Sequence, residues 1–209
     1  MLQWIVKKYK SFKKNNLEKA IKKNAKTVRN QKAIREDRVG AIDYFKALQL
    51  PEHAIPALLA RFEFSLEHGI NDTREKEAAM EGILKFKEAA LPYLEKHLHS
   101  SSYVAWPIKM YSAIASQDQL CSLLESCLNY DEVSFDQSKT DKNYDILCYL
   151  RDYKLADHGR KITHFIKDHD ERIRFAAAEI LLEQDDKDVA RELEPFISDS
   201  SAILNNLWI

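Results

Sequence analysis

Seven histidines and three cysteines are the side chains of widest chemical range in this chain of 209 residues. His97 and His99 stand two apart, which on a helix sends them to different faces, and no Cys-x-x-Cys or His-Glu-x-x-His spacing occurs. No metal site is expected from such an arrangement. Asp185, Asp186 and Asp188 crowd one short stretch, but the glycine and the distant bidentate glutamate of a calcium loop are missing, so the run reads as a solvated turn. With four glycines in all, a phosphate-cradling loop is hard to build, and there is no Gly-x-Ser-x-Gly elbow. Cys121, Cys127 and Cys148 lie on or near apolar stripes and are expected to pack as small apolar residues. A Cys-His pair that meets in space rather than in sequence stays open. No catalytic residue, cofactor or small-molecule substrate is therefore expected.

The odd cysteine count, without framework spacing, suits a reducing compartment. No apolar run reaches the roughly 20 residues of a membrane span, and Lys7, Lys8 and Lys10 follow a very short apolar patch, unlike a signal peptide. Cytoplasm is the expected location. The net charge of −1 conceals a segregation: residues 1–38 carry thirteen basic and three acidic residues, and the remainder nineteen basic and thirty acidic. A basic arm at +10 precedes an acidic body at −11.

The elements that would position any site are helices. Apolar residues recur at helical spacing, the runs are rich in Lys, Glu, Ala and Leu, and no Asn-Gly or Asp-Gly hairpin signal occurs, so the fold class is all-α. From 170 to 197 a complete two-helix unit is legible. Asp170 is the expected N-cap of a helix with Ile173, Ala176, Ala177, Ile180 and Leu181 on one stripe. A polar break at 184–188 leads to a second helix with Leu193, Phe196 and Ile197. Neither helix can bury its stripe alone, so such units must stack.

The same unit recurs upstream. Arg38, Ala41 and Phe45 repeat the spacing of Arg174, Ala177 and Leu181, and their partner helix starts at Glu52, with Pro56 expected in its first turn, where the missing N–H does no harm. Second-helix segments centred on Ile55, Leu91, Leu120, Ile162 and Leu193 lie 36, 29, 42 and 31 residues apart. That is the period of a two-helix repeat with variable loops, in about five copies. Asp72 with Glu75 reads as a capping box opening a helix through Ala79, Ile83 and Phe86. Ser101 or Ser102 opens another, in which Pro107 is harmless only near the first turn. A fourth first helix runs from about Asp141 to Tyr153, preceded by an acidic insertion over 129–140 that holds Phe135.

Before these units, Leu2, Ile5, Val6, Tyr9 and Phe12 form one amphipathic stripe. Asn15-Asn16 marks a break, and Leu17, Ala20, Ile21, Ala25 and Val28 form a second stripe. These basic helices, residues 1–34, are expected to cap the stack. They also offer Lys7, Lys8, Lys10, Lys13 and Lys14, with Trp4, to an anionic lipid, nucleic acid or acidic partner. Residues 201–209, with Ile203, Leu204, Leu207 and Trp208, are expected to cover the far end.

Asp170 followed by Ile173-Arg174, Ala177 and Leu181 resembles the first helix of a HEAT repeat, and the recurring second helices resemble its partner. The resemblance spans residues 35–200 and is weak in the third unit, which lacks the arginine and small-residue pattern. Arg61-Phe62-Glu63-Phe64 and the segment 72–77 are similar to small bacterial HEAT-repeat proteins. It implies a right-handed α-α superhelix, a solenoid of about five pairs acting as a scaffold that holds another protein on its concave face. Following the phase of the second helices, Arg61, Tyr93, His97 and His164 point outward and form the expected partner-binding ridge. HEAT-like DNA glycosylases and bilin lyases mark an enzymatic alternative. The acidic body is a poor phosphate surface for the first, with Tyr103 and Trp106 as the aromatic candidates, and no motif of the second is present.

Overall fold

The computed structural model describes residues 2–130, 136–151 and 159–183, with side chains in the first segment from Lys14 onward. The described residues form helices, short helical turns and connectors, with no strand among them. The chain divides into two compact units, Met1–Ala115 and Ser116–Ile209.

In the first unit, α1 (Leu2–Arg29) is a single helix, not two. Asn15 and Asn16 do not break it, because Asn costs a helix only a fraction of a kcal/mol (order of magnitude), and here Lys, Leu and Ala surround the pair. The helix ends where Asn30 closes a turn: its side-chain oxygen accepts the N–H of Lys32 at 3.0 Å. Next come α2 (Arg35–Ala47) and α3 (Pro51–Leu59), joined through an extended Leu50 that Pro51 requires, with the proline at the helix start. Pro56 lies inside α3 rather than in its first turn. Its ring is exposed, and so is Glu52, whose carbonyl the missing N–H leaves to solvent. Past Leu59 the chain tightens into a 3-10 turn, Ala60–Glu63. It continues as α4 (Gly69–Leu84), a 3-10 turn at Lys87–Ala90, α5 (Leu91–Ser100) and α6 (Ala105–Ser112). Pro107 is the third residue of α6, where its N–H is dispensable.

These helices pack in two rows. One row is α1, α3 and α5; the other is α2, α4 and α6; α1 with α2, α2 with α3, α3 with α4 and α5 with α6 also touch across the rows. Val28, Ile42, Phe45, Ile55, Leu58, Ile83, Leu94 and Ile108 fill the space between them, each fully buried. The Tyr111 hydroxyl donates to Glu95 at 2.9 Å and ties α6 to α5. Burial, then this hydrogen bond, pushes the phenol up to about 12.

The second unit holds α7 (Gln117–Cys127), α8 (Gln137–Arg151), α9 (Gly159–Ile162), a 3-10 turn at Thr163–Lys167, and α10 (Glu171–Leu182). Ser116 and Gln119 form a capping box at the start of α7, and the Asp170 carboxylate accepts the Arg172 N–H at 2.8 Å at the start of α10. α8 begins four residues before Asp141, because Asp136 accepts the N–H of Ser138 at 3.0 Å and opens the helix there. α8 lies against α7 and α10, with Leu124, Ile146, Leu147, Leu150, Phe165, Ala177 and Leu181 in the core. Cys121 and Cys127 are buried among them as thiols, and burial, then Glu125, raises the Cys121 thiol. The helix expected around Leu193, Phe196 and Ile197, the turn at 184–188, Phe135 and the cap at 201–209 lie outside the described residues.

One register position recurs with one task. Arg38 Nη1 donates to the carbonyls of Ala33 (2.7 Å) and Gln31 (3.4 Å), in the connector before its own helix. Arg174 Nη1 donates to those of Asp168 (2.9 Å) and His169 (3.1 Å) in the same way. The spacing of three then four that follows Arg38 and Arg174 also follows Lys76, with Ala79 and Ile83, and Asn143, with Ile146 and Leu150. Lys76 Nζ reaches Ser65 Oγ at 3.3 Å, and Asn143 exchanges two hydrogen bonds with the main chain of Asn129, at 2.9 and 2.8 Å. Each anchors the connector ahead of its helix to that helix.

Gly82 of α4 is tightly enclosed by α2 and α3. A Cβ there would stand 2.8 Å from Leu58 Cδ1 and 2.8 Å from Lys46 Cγ, whereas one on Gly40, exposed in the middle of α2, would meet nothing within 4 Å. Gly40→Ala should therefore raise stability by about 0.5–1 kcal/mol through helix propensity. Gly82→Ala should lower it by about 1 kcal/mol, because overpacking outweighs the same gain. Urea denaturation of the two variants checks both signs.

Candidate functional site

The first unit contains two polar constellations, one sealed and one open. The sealed one is built from α2, α4 and the turn after α3. Glu75 accepts Arg38 Nε at 2.6 Å and Nη2 at 2.9 Å, and Arg61 Nε at 2.8 Å. Arg61 Nη2 also donates to Asp72 Oδ1 at 2.7 Å, and Lys76 Nζ lies 2.7 Å from Asp72 Oδ2. Asp72 further accepts the N–H of Leu66 at 2.9 Å. All five charged residues are buried, with Arg61 fully enclosed. Three cations face two carboxylates. Carbonyl oxygens of Gln31, Ala33, Phe64 and Asp72, and the Phe64 ring 4.5 Å from the Arg61 guanidinium, take up the excess positive charge.

This cluster corrects two expectations. Arg61 is not on an outward ridge: α3 is buried around most of its circumference, Ala57 one turn earlier in the same phase is buried too, and Arg61, in the 3-10 turn that follows, is fully enclosed. Asp72 and Glu75 are not a capping box. α4 begins earlier, at Gly69, and both carboxylates sit in its first turns facing the two arginines. No apolar periodicity could reveal this, since the inward face here is polar. The usable signal was the pair Arg38 and Arg61 matched by two acids three apart.

The open constellation is a groove of about 680 Å³ between α3 and α5, reaching the end of α1. Pro56, Leu59, Ala60 and Pro92 give it an apolar floor, and Arg29, Glu63, Tyr93, Lys96, His97 and Ser100 complete its lining. Tyr93 and His97, one turn apart on α5, are thus brought together as expected of neighbours on one helix face. His97 Nε2 stands 3.3 Å from Glu63 Oε1, across from the turn that follows α3. The Ser100 hydroxyl donates back to the main-chain carbonyls of Lys96 at 3.0 Å and His97 at 3.4 Å.

His164, the fourth residue of the expected ridge, belongs to the second unit. It is exposed and stands edge-on to Tyr130 and to Phe165, with ring centroids 5.5 and 5.4 Å away. Of the basic arm, Lys14 is exposed on α1, while the side chains of Lys7, Lys8, Lys10 and Lys13, and of Trp4, lie outside the described residues. Tyr103 is exposed, and Trp106 packs on Phe62 at 5.9 Å with Lys109 5.4 Å from its ring. Among the described residues no three histidine, cysteine or acidic side chains come together as a metal site would require, and no helix is long and apolar enough to cross a membrane.

The sealed cluster has a pH signature. Burial alone would raise the Asp72 carboxyl, but hydrogen bonds from Lys76, Arg61 and the Leu66 N–H outweigh it and hold the group below its ordinary 3.8. Its contribution is complete above that value and is lost as pH falls below it. Asp72→Asn should flatten the acid limb of the stability curve below pH 3.8, as read by urea midpoints across pH. Glu75→Gln strips the shared carboxylate charge from two enclosed guanidinium groups and should cost about 3–5 kcal/mol at neutral pH.

Compared with known protein families, with curated proteins and with solved structures, the chain finds no significant match.

Proposed function

We propose that this chain is a non-enzymatic interaction module, a right-handed stack of HEAT-like helical hairpins, that receives another protein on the α3–α5 groove. The observation that carries the reading is the groove itself: an apolar floor with Tyr93 and His97 side by side on one wall. The two rows of helices and the recurrent anchor at Arg38, Lys76, Asn143 and Arg174 support a repeat architecture. Binding fits the groove better than catalysis. Its serine hydroxyl, on Ser100, is turned back on its own helix, and its histidine stands 3.3 Å from the Glu63 carboxylate.

A second reading assigns contact with an anionic surface to α1, which carries ten basic residues and one acid over Leu2–Arg29. The two readings separate at position 93. With p-benzoylphenylalanine in place of Tyr93, irradiation in the native host should give discrete protein adducts, whereas the same group in place of exposed Glu77 on α4 should give none. Equal or absent labelling at both positions would remove the groove from consideration.

A further inference from the structure

Resting on that protein-binding reading, we propose that the occupant of the α3–α5 groove is an acidic peptide segment with a large apolar side chain beside its carboxylates. The apolar part follows from the floor, where Pro56, Leu59, Ala60 and Pro92 offer no hydrogen bond from their side chains and a volume of about 680 Å³ accepts a few residues. The acidic part follows from how the cations of this unit are distributed. In the interior each is matched: Arg38 and Arg61 on Glu75, Lys76 on Asp72, and at the edge Lys46 on Glu81 at 3.0 Å. At the groove, Arg29 and Lys96, like most exposed cations of this unit, have no ion-pair partner among the described residues, but they stand beside an apolar floor, and the one acid of the lining, Glu63, is taken up opposite His97.

The unmatched charge continues beyond the groove. Lys26 and Lys22 precede Arg29 by three and seven residues, so the three share one face of α1, and both lysines are exposed. That stripe is about 10 Å long at 1.5 Å per residue. An occupant that fills the apolar floor and also neutralises the stripe is longer than a metabolite. A peptide of about six to eight residues in extended form spans both. Desolvation favours this pairing at the rim, where charges remain near water and steer association without the penalty of full burial.

The test uses the full chain and a fluorescein-labelled peptide, Asp-Glu-Glu-Trp-Leu-Asp-Glu, read by anisotropy. Two matched peptides accompany it, one with amides for the acids and one with serines for Trp and Leu. The acidic aromatic peptide should bind at least about tenfold more tightly than either. Its affinity should fall as NaCl rises from about 50 to about 300 mM. Arg29→Glu with Lys96→Glu should weaken it by about tenfold, while Arg74→Glu, exposed on α4, leaves it unchanged; circular dichroism melts confirm that each variant is folded. Equal binding of the amide peptide, or indifference to the double change, overturns the proposal. A position-93 adduct without selective peptide binding means that the groove holds a protein of other chemistry. With neither an adduct nor selective peptide binding, the groove is not a protein site. Preferential binding to phosphatidylserine vesicles or duplex DNA, lost in the same double variant, also overturns it and assigns the cations to a membrane or nucleic acid.

Discussion

The first unit is held to one arrangement by a single carboxylate. Glu75 accepts from Arg38 on α2 and from Arg61 just past α3, so α2, α4 and the end of α3 meet on two buried oxygens. Apolar contacts between the rows favour burial but tolerate sliding, whereas a bidentate guanidinium–carboxylate pair fixes distance and angle together. Such an arrangement contributes less net stability than its Coulomb attraction implies, because desolvating the charges offsets most of it. Its larger effect is geometric. With Asp72 holding Leu66 and Arg61 holding Phe64, the connector between α3 and α4 is anchored too, and with it the turn that carries Glu63 to the groove.

The groove therefore inherits its shape from the interior behind it. Arg61 and Glu63 are two residues apart in one 3-10 turn; the first is enclosed in the ionic cluster and the second faces His97. On the other wall, Tyr93 and His97 stand on α5, which Tyr111 ties to α6 through Glu95. Both walls are thus backed by polar contacts as well as packing.

Much of this was legible from residue spacing, and the exceptions have physical causes. Periodicity located the cores of α2, α3, α5, α6, α7, α8 and α10, because stripes such as Ala41, Ile42 and Phe45 leave a signal that survives without coordinates. It failed at edges. Asn15-Asn16 resembles a stop yet is helical, and α4 starts at Gly69 with no side-chain cap, while the capping box lies at Ser116 and Gln119. The candidate site was half visible. Tyr93 and His97 follow regular helical phase and line the groove, but at Arg61 phase misleads, because α3 is buried on most of its faces, as Ala57 in the same phase also shows. Polar residues on an inward face, such as Glu75, Lys76 and Asn143, are invisible to any method that equates inside with apolar.

The anchors at Arg38 and Arg174 grip main-chain oxygens, and Asn143 grips a main-chain N–H and C=O. Because every residue type supplies those atoms, the connectors they hold are free to change in composition, and to grow or shrink at their far side, without loosening the hairpin that follows. Irregular spacing between the second-helix segments, from 29 to 42 residues, is then tolerated wherever a joint grips backbone, as at three of the four anchors; at the other, Lys76 reaches the Ser65 hydroxyl.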